Sequence, residues 1–170
     1  MHPYFNRASV GALLAVASVA AFAASTTGNV SVTIQAPLEI TKISDLSFGT
    51  VLRPVSSTVC DFSTNCWTEI SISSVQTASP DVTIVTPGRR AEFVISGEPN
   101  ANVTVTVGSI DVSGPSGDFH VTATSGGGEG AGSFGAGGTK PLYIGGVLPV
   151  SPDMVSGVYS GTFTVDAIYP

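Results

Sequence analysis

An all-β fold, specifically an immunoglobulin-like antiparallel β-sandwich, is what this sequence predicts, on three observations. Beyond residue 24 no window keeps apolar residues at i, i+3, i+4 and i+7 without Gly, Pro or a β-branched residue breaking it, so helices have no foothold. Short runs alternate between apolar and polar residues instead, most cleanly Asn102-Val-Thr-Val-Thr-Val107, the period of a half-buried strand. Twenty Gly and 11 Pro then punctuate the chain between those runs, as the turns of a sandwich require. With 42% apolar and 11% charged residues the chain is no disordered polar tract. A closed barrel is the architectural alternative.

Taken in order, the chain opens with a signal peptide at residues 1–23. Its start is basic (His2, Arg7), its core apolar from Val10 to about Ala21, and Ala21-Phe22-Ala23 is a small-x-small cleavage site. The apolar stretch falls short of the ~20 residues a membrane-spanning helix needs. The protein is therefore expected to be exported, to periplasm, cell surface or medium, and not to be integral to a membrane. The mature chain carries five basic and 12 acidic residues, a net charge of −7, which argues against nucleic acid and anionic lipid as partners. Strands are expected at about 30–36, 38–43, 46–52, 67–73, 81–86, 91–97, 102–108, 118–124, 140–148 and 158–169. Pro37 separates the first, residues 24–36, from a sandwich domain spanning 37–170.

Chemistry-bearing motifs are scarce. Cys60 and Cys66 flank five residues between strand-like segments, and an oxidising compartment predicts a disulfide clamping a loop tip, worth ~2–2.5 kcal/mol. Metal ligation by this pair with His120 is the sharper alternative. The glycine-rich run 126–138 lacks the following helix and Lys-Ser/Thr of a phosphate loop and reads as a flexible surface loop. The mature chain has one His, His120, on the polar face of an alternating segment. No Gly-x-Ser-x-Gly elbow is present. The chain is accordingly expected to be no enzyme and to use no cofactor.

The two ends carry the strongest patterns. In the last segment Tyr159, Gly161, Phe163, Val165, Ala167 and Tyr169 share one face, opposite Ser160, Thr162, Thr164 and Asp166, with Ile168 the one departure. This predicts one long strand. Near the start Val30, Val32 and Ile34 alternate with Ser31, Thr33 and Gln35. That segment is either an ordinary edge strand or a detachable strand able to add to a neighbouring subunit.

The penultimate Tyr169 and Gly157, fourteenth from the end, resemble the C-terminal pattern of chaperone–usher pilins. Over most of the mature chain the segments Ala36-Pro-Leu-Glu-Ile-Thr-Lys42, Asp45-Leu-Ser-Phe-Gly-Thr50, Ala91-Glu-Phe-Val-Ile-Ser-Gly-Glu-Pro99, Leu142-Tyr-Ile-Gly-Gly146 and Gly157-Val-Tyr-Ser-Gly-Thr-Phe-Thr-Val165 resemble a secreted bacterial family catalogued as a domain of unknown function and described as related to fimbrial subunits. The pilin resemblance implies a sandwich lacking its final strand. A periplasmic chaperone would fill the gap, and after passage through an usher the next subunit's N-terminal strand would replace it. By that resemblance Tyr159, Phe163, Val165, Ala167 and Tyr169 line or flank the groove, and Val30, Val32 and Ile34 are the donor side chains. The expected function is a noncatalytic subunit of a fimbria-like adhesive surface fibre built from like subunits by strand exchange. The alternative is a self-complete secreted or periplasmic module binding glycan or protein. Nine strand candidates follow Pro37, where a seven-strand sandwich missing one needs about six, so pairing of the N-terminal strand within its own chain stays open.

Overall fold

The computed structural model describes residues 23–55, 60 and 66–170. The expected signal peptide, but for Ala23, and the loop between the cysteines lie outside them. The chain divides after Thr33. Residues 23–33 are exposed throughout and form no strand. Among the described residues from Ile34 onward every paired strand is antiparallel, giving an all-β sandwich with no helix.

The elements follow from alternation. Strand β6 (Ala91–Ser96) buries Ala91, Phe93 and Ile95 while Glu92, Val94 and Ser96 are half-buried on the other face. It sits between β1 (Glu39–Ser44) and β11 (Thr139–Pro149). β11 buries Leu142 and Ile144 and pairs on its far side with β9 (Gly117–Gly126). Past Gly145 the place of β6 along β11 is taken by β3 (Trp67–Ile70), itself paired with β4 (Gln76–Ala78). The pair β2 (Thr50–Leu52) and β5 (Thr83–Thr86) forms a separate ribbon. The Gln76 side chain ties it to the body: its amide donates to Phe48 O (3.0 Å) and Thr68 Oγ1 (3.1 Å), and its carbonyl accepts from Gly88 N (2.6 Å).

Beyond β9 three long strands turn a corner together. β8 (Ile110–Gly114) lies between β9 and β12 (Ser160–Thr162) in the larger sheet. Their continuations, β7 (Asn102–Val107) between β10 (Gly130–Ser133) and β13 (Val165–Ile168), form the smaller one. Each of the three crosses between the sheets through a short link: Gly108 and Ser109, residues 127–129, and Phe163 and Thr164. A hydrogen bond from Gly108 N to Thr164 O (2.9 Å) spans the bend. Gly127 and Gly130 hold positive φ of 80° and 83° there, conformations that cost an L side chain energy. Strands that bend between sheets are how sandwich corners are made. The result is six strand paths in a row, from β1 through β6, β11, β9/β10 and β8/β7 to β12/β13, folded around one core. That core joins Phe93, Ile95, Leu142, Ile144 and Val121 of the large sheet to Val103 and Val105 of the small one, with Phe134 between.

Four expectations need correction. The segment 30–36 forms no strand, because alternation prepares a strand but a ladder partner makes one. The C-terminal segment is two strands in two sheets, interrupted at the corner. Within the run 126–138, residues 130–133 are strand β10 and Phe134 is 2% exposed, so a buried aromatic anchors what composition alone reads as a loose loop. Finally β4 and β8, absent from the sequence reading, are present: β4 is three residues with a weak, mostly polar alternation, whereas β8 does alternate, with Ile110 buried and Val112 half-buried, but is only five residues long.

Candidate functional site

The C-terminal segment keeps its predicted face but divides it between two environments. Phe163, Val165, Ala167 and Tyr169 are half-buried against the core, with Phe163 edge-on to Phe93 at 6.0 Å between ring centroids and Tyr169 edge-on to Phe134 at 6.5 Å. Tyr159 lies apart, over the β8–β9 turn, 5.2 Å from the Phe119 ring. There its hydroxyl donates to Val155 O (2.8 Å) and hydrogen-bonds Ser116 Oγ (2.9 Å). Gly161 is exposed and pressed to β8, where an added Cβ would sit 1.9 Å from Asp111 O. Gly157 is exposed beside Pro115. Ile168, the break in the alternation, is 60% exposed on the outer face.

β12/β13 pairs with β8 and β7 on one side, and among the described residues no strand pairs with its other side. The same is true of the outer side of β1, at the opposite end of the row. The apolar residues left half-buried are found largely on these two ends: Leu38, Ile40, Leu46 and Phe48 in and around β1, and Phe163, Val165, Ala167 and Tyr169 beside or in β13. Lys42 pairs with buried Phe93 and so shares its face, yet its side chain is 58% exposed and bound to Asp45 (2.7 Å). A lysine tolerated on the core face means that this stretch of the face is open to water.

The two ends meet at one point. Ala36 N donates to Glu98 Oε2 (3.0 Å), Glu98 N donates to Tyr169 Oη (2.7 Å), and Tyr169 Oη donates to Ala36 O (2.8 Å). The three bonds close a ring. Gly97 makes room for it, since a Cβ there would lie 2.6 Å from Tyr169 Oη, 2.7 Å from Phe134 and 2.9 Å from Leu38. Sequence reading singled out Tyr169 but neither Glu98 nor Phe134. Phe134, the one large apolar residue in a glycine run, was the signal available for the second.

The family model described as a domain of unknown function, DUF4402, matches residues 38–169. This chain belongs to the DUF4402 family. Neither the curated proteins nor the solved structures searched contained a match. The matched stretch holds every strand of the DUF4402 domain from β1 to β13. Of the segments that carried the resemblance, those at 36–42, 91–99 and 142–146 are the neighbouring strands β1, β6 and β11 with their flanks. The one at 157–165 reaches through β12 into β13.

Elsewhere the DUF4402 domain carries a disulfide between Cys60 and Cys66, with Cα atoms 5.4 Å apart. Cys66 is buried, and its carbonyl accepts from Val150 N (2.9 Å). His120 and Asp111 pair at 2.9 Å on the exposed face of β8 and β9. That bond first, and one from Ser109 second, lower the Asp111 carboxyl below the usual range. Lys42 does the same to Asp45. Among the described residues no group of three or more His, Cys, Asp or Glu is placed to hold a metal, and no helix is long and apolar enough to cross a membrane.

Proposed function

We propose that the DUF4402 domain is a noncatalytic structural subunit of an exported surface fibre, assembled by β-strand donation between like subunits. The observation that carries this reading is an alternating apolar segment left without a ladder: Val30, Val32 and Ile34 are 96%, 81% and 86% exposed. Unpaired outer sides on β1 and β13, with half-buried apolar residues along them, are the kind of edge such a segment adds to. Burying three large aliphatic side chains contributes roughly 5–9 kcal/mol before ordering costs, comparable to the ~5–15 kcal/mol that holds a whole domain together. An unfilled edge of that kind invites aggregation, which gives a periplasmic chaperone and an usher their place in the proposal.

The test is deletion of residues 24–35 from the mature chain. The fibre reading expects a folded protein that no longer polymerises yet binds a peptide of residues 24–36. A deletion that instead unfolds an always-monomeric protein sinks it. A second reading, a self-complete module binding glycan or protein, has its own support. A shallow depression of about 410 Å³, largely open to solvent, lies at the corner and is lined by Thr104, Val105, Thr106, Ser125 and Glu129. On that reading the deletion leaves both folding and ligand binding intact, and the peptide does not bind.

A further inference from the structure

The ring of three hydrogen bonds at Ala36 does something the strand pairing does not. Pro37 has no N–H, so a ladder run through it towards the N-terminus would lose one of its bonds. Both backbone groups of Ala36 are nevertheless taken, and both by side chains, Glu98 for the N–H and Tyr169 for the C=O. Within two residues towards the N-terminus, Ile34 is almost fully exposed. The boundary between the packed body and the exposed segment therefore falls at a residue gripped from two sides, and the grips come from the β6–β7 turn and the C-terminal strand. Tyr169 Oη, Phe134 and Leu38 converge on the space left open by Gly97.

We propose that Tyr169 and Glu98 form a latch that fixes Ala36 as the pivot of the N-terminal segment. The segment moves as an arm on Ile34 and Gln35, and a pull on the arm is delivered to the last strand through Tyr169. The part about load rests on the fibre reading; the latch itself does not. A latch made of side chains is released by one substitution without touching any strand ladder, unlike a continuous ladder whose bonds open together.

The test is amide exchange and backbone order measured by NMR on the mature monomer and its variants. In the wild type, the amides of Ala36 and Glu98 are expected to be protected and order to begin at Ala36. Tyr169→Phe keeps the ring but loses the hydroxyl. It should accelerate Glu98 exchange at least tenfold and move the onset of order past Leu38. Glu98→Ala should do the same at Ala36, and Glu98→Gln, which keeps an acceptor, should restore protection there. Wild-type protection in both Tyr169→Phe and Glu98→Ala overturns the latch. If Tyr169→Phe does not fold, the two Glu98 variants decide it, because they leave the Tyr169 ring in place. Polymerisation is scored separately: a released latch in a protein that never assembles upholds the pivot and defeats the fibre reading.

Discussion

Replacing Phe134 by Ala puts the role of the glycine-rich run to a quantitative test. The side chain is 2% exposed, lies in the central apolar cluster and meets Tyr169 edge-on. An aromatic side chain buries ~150–250 Å², worth about 4–6 kcal/mol at 25 cal/mol per Å² as an upper bound. Core Phe→Ala changes cost ~3–5 kcal/mol once the cavity is included, so we expect a loss of about 3–4 kcal/mol. At roughly 2–4 °C per kcal/mol for a domain of this size, the melting temperature falls by about 10 °C. Urea unfolding followed by fluorescence of the single tryptophan, Trp67, measures it, with far-UV circular dichroism showing that the variant folds. Phe134→Leu, which retains most of the volume, should recover more than half of the loss. A surface loop would lose within ~0.5 kcal/mol. A measured loss below about 1 kcal/mol with an unchanged m-value would refute the reasoning.

Gly161→Ala tests strand packing by sign: a Cβ 1.9 Å from Asp111 O must push β12 off β8 and cost ~1–3 kcal/mol, whereas an unconstrained Gly→Ala change in a strand would stabilise; thermal melts decide. Val30→Asp with Val32→Asp should leave monomer stability within ~0.5 kcal/mol, because both sites are exposed, while abolishing any polymer seen by size-exclusion chromatography or electron microscopy. Asp111→Asn should reduce stability slightly at pH 5. The carboxyl's pKa is lowered in the fold from 3.8, so its contribution is present above that value and is lost as pH falls through the folded one. Urea midpoints of wild type and variant should therefore converge as the pH falls through the lowered folded pKa. Full exposure of the group keeps the effect small, and a gap that widens on acidification would contradict the assignment.

Much of the fold is legible in single segments. Ala91-Glu-Phe-Val-Ile-Ser96 shows by alternation which side faces the core, and β6 buries that side. Leu142 to Gly146 and Asn102 to Val107 behave alike. The Cys60–Cys66 bridge expected from the pair's spacing is present. What fails does so for two physical reasons. Where the apolar signal is thin, as in Gln76–Ala78 and Gly130–Ser133, neighbouring strands impose a conformation that local propensity does not ask for. Where the signal is strong but unpartnered, as in Val30–Ile34, propensity alone makes no strand.

The candidate site divides in the same way. The identity of its inward-facing residues, Phe163, Val165, Ala167 and Tyr169, is written in the alternation of the last segment. Their use is not. A period of two states which face a residue belongs to but not which strand lies beside it, and a ladder partner sits tens of residues away. The sequence by itself therefore determined an all-β domain, its strand faces, its disulfide and its family. Only the tertiary structure decided that the last segment bends across two sheets, that Phe134 fills the core, and that Glu98 meets Tyr169 at Ala36. The last of these joins residues 62 to 133 positions apart, chosen by packing and hydrogen-bond geometry that no local pattern encodes.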